Sequence, residues 1–172
     1  MPERSPLLTG GCQCGAVRYA LYASPQAGIC HCRMCQKAVG GPFLAWAMVP
    51  SADFAWTRGK PAIFRSSSAA TRGFCAQCGT PLLFSYDRKP DHVDVTIASL
   101  DRPGEVTPRV ALGTESRLPW CEPGVLDKLP EHGTGELGSP EDLTRIINFQ
   151  HPDHDTPADW RPPVVQTTIA SS

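Results

Sequence analysis

Apolar and polar positions alternate along this chain in short stretches, each soon interrupted by glycine or proline. Val17, Tyr19 and Leu21 alternate with Arg18, Ala20 and Tyr22, which predicts a strand with one face buried. Ser24-Pro25-Gln26-Ala27-Gly28 reads as a turn. Phe43 to Val49 is a continuous apolar run, the pattern of a buried strand. Shorter strands are predicted over Asp53–Trp56 and Ala62–Arg65, either side of the Arg58-Gly59-Lys60-Pro61 turn. Thr71–Phe74 leads into the Cys75 cluster, Pro81–Tyr86 is the next predicted strand, and His92–Ile97 alternates, with Val93, Val95 and Ile97 facing inward. Helical signals are few. Arg33–Val39 predicts a short helical turn stopped by Gly40-Gly41-Pro42. Ser139-Pro140-Glu141-Asp142 offers an N-cap, a proline at the first helical position and an early acid, and Leu143, Ile146 and Ile147 form a stripe, so one C-terminal helix is expected. The fold class is therefore mainly β. The expected organisation is an N-terminal tail over 1–7, a domain over 8–150 and an extended arm or tail over 151–172, where Pro, Asp and Thr accumulate.

Composition agrees with this reading. The 172 residues suit one domain, and 18 prolines with 15 glycines favour strands and turns over long helices. A net charge of −1 without a basic stripe gives no footprint for nucleic acid. Met1–Leu8 has no apolar leader core, and no stretch approaches the ~20 apolar residues of a membrane span. The expectation is a cytoplasmic protein that binds neither nucleic acid nor membrane. In a reducing compartment, clustered cysteines read as metal ligands rather than disulfides.

Seven of the eight cysteines are clustered, as Cys12-x-Cys14, Cys30-His31-Cys32-x-x-Cys35 and Cys75-x-x-Cys78; Cys121 stands alone. Zn²⁺ takes four ligands in a tetrahedron, so this set suits one zinc closed by four thiolates and a second held by three, with a position left for water or substrate. Spacing leaves two pairings open. Cys12 and Cys14 can join Cys75 and Cys78, leaving Cys30, Cys32 and Cys35; or Cys30 and Cys32 can join Cys75 and Cys78. Glycine directly after Cys75-x-x-Cys78 suits a tight knuckle, and Gly79-Thr80-Pro81 forbids the helix that a thioredoxin-like dithiol would need there. If Cys30 and Cys32 converge on a metal, His31 between them points away, and reads as a group behind the ligands or at the surface. Cys121 either closes the three-thiolate site or is a small buried apolar residue. A metal with three thiolates is a poor activator of water but lowers the pKa of a bound thiol, which favours chemistry on thiols.

Gly11-Cys12-Gln13-Cys14-Gly15-Ala16-Val17-Arg18-Tyr19, Cys30-His31-Cys32-Arg33-Met34-Cys35-Gln36, Phe74-Cys75-Ala76-Gln77-Cys78-Gly79-Thr80-Pro81-Leu82 and Glu115-Ser116-Arg117-Leu118-Pro119-Trp120 together resemble the glutathione-dependent formaldehyde-activating enzyme family, whose domain is shared with a centromere protein. The resemblance runs from about Leu8 to Pro130. It implies an Mss4-like fold with Cys12, Cys14, Cys75 and Cys78 as a structural zinc site, and Cys30, Cys32 and Cys35 as a second, catalytic zinc site. It also implies condensation of glutathione with formaldehyde, formally a carbon–sulfur lyase reaction. Glutathione carries carboxylates, for which Arg33, Lys37 and Arg117 are the candidate contacts. Trp46, Trp56 and Trp120 read as core. The rival readings are a non-catalytic Mss4-like zinc-binding module and a thiol/zinc redox sensor whose three-cysteine cluster oxidises.

Overall fold

The alternating segments pair into two β-sheets in a computed structural model that describes residues 4–131 and 149–161. The first sheet holds three strands, β1 (Leu8–Gly11), β2 (Arg18–Leu21) and β5 (Phe54–Arg58), antiparallel in the order β1-β2-β5. The second holds β3 (Gln26–Cys30), β4 (Leu44–Pro50), β6 (Ala62–Ser67), β7 (Ala70–Phe74), β8 (Pro81–Tyr86), β9 (His92–Thr96) and β10 (Ala111–Leu112), in the order β10-β3-β4-β9-β8-β7-β6. One helix, α1 (Arg33–Val39), follows β3 and ends at Gly40 in the left-handed conformation, φ 63°. From Ile97 to Lys128 the chain turns repeatedly through single 3-10 turns. The expected C-terminal helix near Ser139 lies outside the described residues. No described helix is long and apolar enough to cross a membrane.

The sheet faces explain where the core lies. On β4, Ala47 and Val49 turn inward opposite Val95 and Val93 of β9, so Trp46 and Met48 turn outward. Leu82, Tyr19 and Leu21 complete the inner cluster, and none of the three has any exposed surface. The Tyr19 hydroxyl lies 2.7 Å from the Ser99 hydroxyl, and its ring meets Trp56 edge-on at 6.1 Å.

Three details depart from the expected pattern. β2 is buried along its whole length rather than on one face. Tyr19 and Leu21 face the core, while Arg18 on the other face is covered by Asp101 and Asp155. The predicted turn at Ser24–Gly28 is entered by β3 from Gln26 on. Gly28 serves close packing there, because a Cβ on it would sit 2.5 Å from the ring of Trp46. Finally, β1 and the two-residue β10 carry no alternating signal and were not anticipated.

Residues 149–161 contain neither helix nor strand and lie across the Cys12 turn. The His151 amide donates to the Gln13 carbonyl at 2.7 Å, and Arg58 donates to the Thr156 and Pro157 carbonyls at 2.7 and 2.9 Å. The His151 and Trp160 rings meet edge-on at 4.6 Å.

Candidate metal centres

Two hairpin tips, one from each sheet, bring four cysteines together. Cys12 and Cys14 lie in the β1–β2 connection, and Cys75 and Cys78 in the β7–β8 connection. Both turns have the same build. In each, a glycine amide donates back to the carbonyl of the first cysteine, Gly15 to Cys12 at 3.0 Å and Gly79 to Cys75 at 2.9 Å, and each glycine has positive φ, 73° and 77°. The bend turns further amides onto sulfur: Val17 N–H donates to Cys12 Sγ at 3.2 Å, and Gln77 N–H to Cys75 Sγ at 3.4 Å.

The sulfurs of Cys12, Cys14, Cys75 and Cys78 all lie within 4.8 Å of one another. Cys12 and Cys14 are 3.6 Å apart, and Cys14 and Cys75 are 3.8 Å apart. A tetrahedral ion with metal–sulfur bonds of about 2.3 Å would set each sulfur–sulfur edge near about 3.8 Å. The group could therefore hold a metal ion. Its thiols are electrostatically uneven. Burial raises the Cys78 pKa, but the Thr80 hydroxyl at 3.2 Å and nearby amides outweigh it and bring the thiol down to about 6. Burial and the neighbouring thiols push Cys12 well above the usual thiol range. Four sulfurs at these separations ionise together only around a cation.

Cys30, Cys32 and Cys35 form the other group, also within 4.8 Å of one another. Of the two groupings that spacing leaves open, the sulfurs lie together as Cys12, Cys14, Cys75 and Cys78, and as Cys30, Cys32 and Cys35. Cys30 ends β3, Cys32 precedes the first residue of α1, and Cys35 lies in its first turn. For Cys32, burial is outweighed by the Cys35 amide and the two neighbouring thiols, so its pKa is lowered. Burial pushes Cys30 up to about 12. Cys35 is also raised by burial, against the pull of Arg72, whose Nη2 donates to its sulfur at 3.4 Å. Among the described residues, no His, Cys, Asp or Glu supplies a fourth ligand atom to this group. Cys121 sits in a separate 3-10 turn and does not join it. His31 does point away from the sulfurs, but into the interior: it is buried, with its ring edge-on to Phe43 at 5.5 Å.

The three-sulfur group lines a cavity of about 540 Å³, together with Trp46, Met48, Arg72, Phe84 and Asp94. A second cavity of about 390 Å³ adjoins it, sharing Met34, Leu44, Trp46, Arg72, Phe84 and Asp94. The cleft floor follows from register: Arg72 pairs with Phe84, Phe84 with Asp94, and Asp94 with Met48, a single row across four strands on the outer face. The Arg72 guanidinium stacks over Phe84 at 4.9 Å. Burial pushes the Asp94 carboxyl up to about 6, against Lys89 and His92, and one of its oxygens is buried with no hydrogen-bond partner.

The predicted cations are scattered. Lys37 is exposed and lines the smaller cavity. Arg33 lies on the exposed side of α1 and donates to the Gln36 side chain. Arg117 pairs with Glu122 at 3.1 Å and lines neither cavity. Of the tryptophans read as core, Trp56 packs against it, Trp46 lines the cleft and Trp120 is half exposed. Arg72 and Asp94 were missed. Asp94 stands at a polar position of the alternating β9, a pattern that also describes an ordinary solvent face, and Arg72 lies in β7, which has no alternation.

The family model described as glutathione-dependent formaldehyde-activating enzyme matches residues 7–116, a span that includes all seven clustered cysteines. The chain is 32% identical over 130 residues to a candidate glutathione-dependent formaldehyde-activating enzyme of Halomonas elongata, covering 67% of this chain and 80% of that protein. It is 37% identical over 84 residues to an uncharacterised lyase of Schizosaccharomyces pombe, covering 47% of this chain and 59% of the relative's own length. A crystal structure of a Rhodobacter sphaeroides protein superposes with a TM-score of 0.47 at 23% identity, over 60% of this chain and 98% of that one.

Proposed function

The chain belongs to the glutathione-dependent formaldehyde-activating enzyme family, and on that premise we propose that it is a zinc enzyme of the carbon–sulfur lyase type, joining and parting a small glutathione-like thiol and an aldehyde. The observation that carries this reading is the position of the three-sulfur group: Cys30, Cys32 and Cys35 form part of the wall of a cavity of about 540 Å³. A ligand set of three sulfurs beside open space is the arrangement that catalytic sites keep, whereas four sulfurs suit a structural role.

Clustered thiolates select zinc among the common divalent ions of the cell. In this reading Cys12, Cys14, Cys75 and Cys78 hold a structural zinc that clamps the two sheets at their hairpin tips. Cys30, Cys32 and Cys35 would hold the second ion, which when bound supplies the positive charge that lowers the pKa of an incoming thiol. The chain's own groups do the rest. Arg72 donates to Cys35 Sγ and so favours its thiolate form. Lys37 and Lys89, which line the two cavities, are placed for the carboxylates of the thiol. In the forward direction the thiol sulfur bonds to the carbonyl carbon, and the thiol proton ends on the carbonyl oxygen as a hydroxyl. The same bonds are undone in reverse. The reduced state of this chemistry suits the cytoplasm.

The test joins metal content to exchange kinetics. Reduced, folded protein should carry two zinc ions per chain, and Cys32→Ser should lose one while keeping its fold. Magnetisation transfer between free aldehyde and its glutathione adduct should be accelerated by the parent protein and not by Cys32→Ser. One zinc per chain, or unchanged exchange in Cys32→Ser, would leave a non-catalytic zinc module as the better reading.

A further inference from the structure

The cleft beside Cys30, Cys32 and Cys35 is far larger than formaldehyde, a single carbon and oxygen, requires. Its volume of about 540 Å³ falls within the range of roughly 300–1,000 Å³ typical of clefts that enclose drug-sized ligands. Its walls are apolar for a structural reason. Ala47 and Val49 of β4 go to the core, which sends Trp46 and Met48 outward, and β8 and β10, each two places from β4 in the sheet, add Phe84 and Leu112. At the mouth, Met34 is 61% exposed and Leu112 47% exposed, apolar side chains with nothing described above them. Formaldehyde would leave this space filled with water against hydrocarbon. Of the cavity's two cations, Arg72 already serves Cys35 and Phe84, which leaves Lys89 for a carboxylate of the thiol.

A second observation specifies the polar end. Asp94 lines both cavities, in the same cross-strand row as Arg72, Phe84 and Met48. Its buried, unpartnered oxygen is an acceptor that lacks a donor. A buried acceptor in this state is costly unless a ligand satisfies it. Its carboxyl is shifted upward by burial, yet at neutral pH it remains mostly ionised and therefore an acceptor.

We infer that the cleft takes an aldehyde with an apolar, ring-sized body, held as its thiol adduct with the adduct's hydroxyl donating to Asp94. The inference rests on the proposed thiol–aldehyde chemistry for the source of that hydroxyl, and on the cleft alone for the apolar body. Addition of the thiol to the carbonyl creates the hydroxyl from the carbonyl oxygen and the thiol proton, so the donor that Asp94 lacks appears only in the adduct.

The test uses the full zinc-loaded chain and separates the two claims. Benzyl alcohol has a ring and a hydroxyl but is neither thiol nor aldehyde. Titrated against isotope-labelled protein, it should shift the amides of Trp46, Met48, Phe84 and Asp94 saturably, while methanol should not. Benzyl methyl ether, which lacks the donor, and the variant Asp94→Ala should each weaken binding by up to about tenfold, the loss of one hydrogen bond. Trp46→Ala should weaken it as well, with the parent titration standing if that variant folds poorly. In the exchange assay, the glutathione adduct of benzaldehyde should turn over faster than that of formaldehyde. Absence of saturable shifts at the cleft, equal binding of methanol, or faster exchange with formaldehyde each overturns the inference. If benzyl alcohol binds as described and no aldehyde is exchanged, the reaction proposed above falls while the apolar, hydroxyl-accepting site stands.

Discussion

Gly15 and Gly79 provide a matched pair of perturbations at the four-sulfur group. Both close a cysteine turn with positive φ, 73° and 77°. Alanine at either position takes on the left-handed penalty of roughly 1–2 kcal/mol. Their surroundings differ sharply. A Cβ at Gly79 would meet nothing within 4 Å, whereas at Gly15 it would lie 2.3 Å from Cδ2 of His151 and 2.8 Å from Cζ3 of Trp160. The nearer ring, His151, has no room to swing aside. His151 is buried, its amide is tied to Gln13 at 2.7 Å, its Nε2 lies 2.8 Å from the Thr156 hydroxyl, and Trp160 packs on its edge. Accommodating the methyl therefore requires residues 149–161 to lift, at an added cost on the order of 1–3 kcal/mol. Gly79→Ala should lose about 1–2 kcal/mol and Gly15→Ala about 2–5 kcal/mol, the sum of the two terms. Urea unfolding at a fixed free-zinc concentration measures the difference, because bound metal shifts apparent stability by mass action. Limited proteolysis should cut within 149–161 faster in Gly15→Ala and at the parent rate in Gly79→Ala. Equal losses in both variants would refute the argument that the C-terminal segment braces this turn.

Asp101→Ala should be strongly destabilising, by about 3–5 kcal/mol or somewhat less where Asp155 compensates, because it strands the Arg18 guanidinium, whose side chain is 3% exposed; urea unfolding at neutral pH checks this. Arg18 and the Thr9 hydroxyl outweigh burial and hold the Asp101 carboxyl below its usual range. Its stabilisation is thus present above the ordinary carboxylate pKa of about 3.9 and disappears as pH falls through the depressed native value. Asp94 runs the other way. Its native pKa of about 6 exceeds the unfolded value of about 3.9, so the parent protein gains stability as pH falls from about 6 to about 4. Asp94→Asn should be more stable than the parent by about 1–3 kcal/mol at pH near 7.5 and equal to it near pH 4, read by denaturation at both pH values. Cys78→Ser should unfold the domain or lower its midpoint steeply, while Cys32→Ser should unfold near the parent midpoint, as circular dichroism would show.

The strands were legible wherever one face met the core and the other met water. Val93, Val95 and Ile97 are all buried, as their alternation predicts. The helix from Arg33 and its stop at Gly40 were also legible, because a left-handed glycine cap is a local event. β1 was not, since Leu8-Thr9-Gly10-Gly11 has no periodicity and is held by pairing with Arg18–Leu21. The cysteine clusters were visible in the sequence as candidate ligand sets. Which pair belongs to which group is decided by non-local pairing, and spacing carries no information about it. Arg72 and Asp94 were hidden for the same reason: the register that aligns them spans four strands drawn from different parts of the chain.

The two cysteine groups are built with different mechanical consequences, and this difference divides structure from chemistry. The four-sulfur group joins hairpin tips from separate sheets, so a metal there resists relative motion of the two layers, and its loss would release both tips at once. The three-sulfur group lies within 30–35, on one strand end and the first turn of one helix, so its ligands are positioned by local backbone that the sheet already supports. A metal bound there adds little constraint to the fold. An ion held there could exchange a further partner without disturbing the layers, which is the freedom that the proposed exchange on thiols would require. The adjoining outer face of the second sheet completes the division. In a strand whose inward residues are as small as Ala47, the outward neighbours can be as large as Trp46 and Met48 without crowding the core. The same pleat that packs the interior thus builds the walls of the cleft, so substitutions that enlarge the outward positions should alter ligand selection far more than stability.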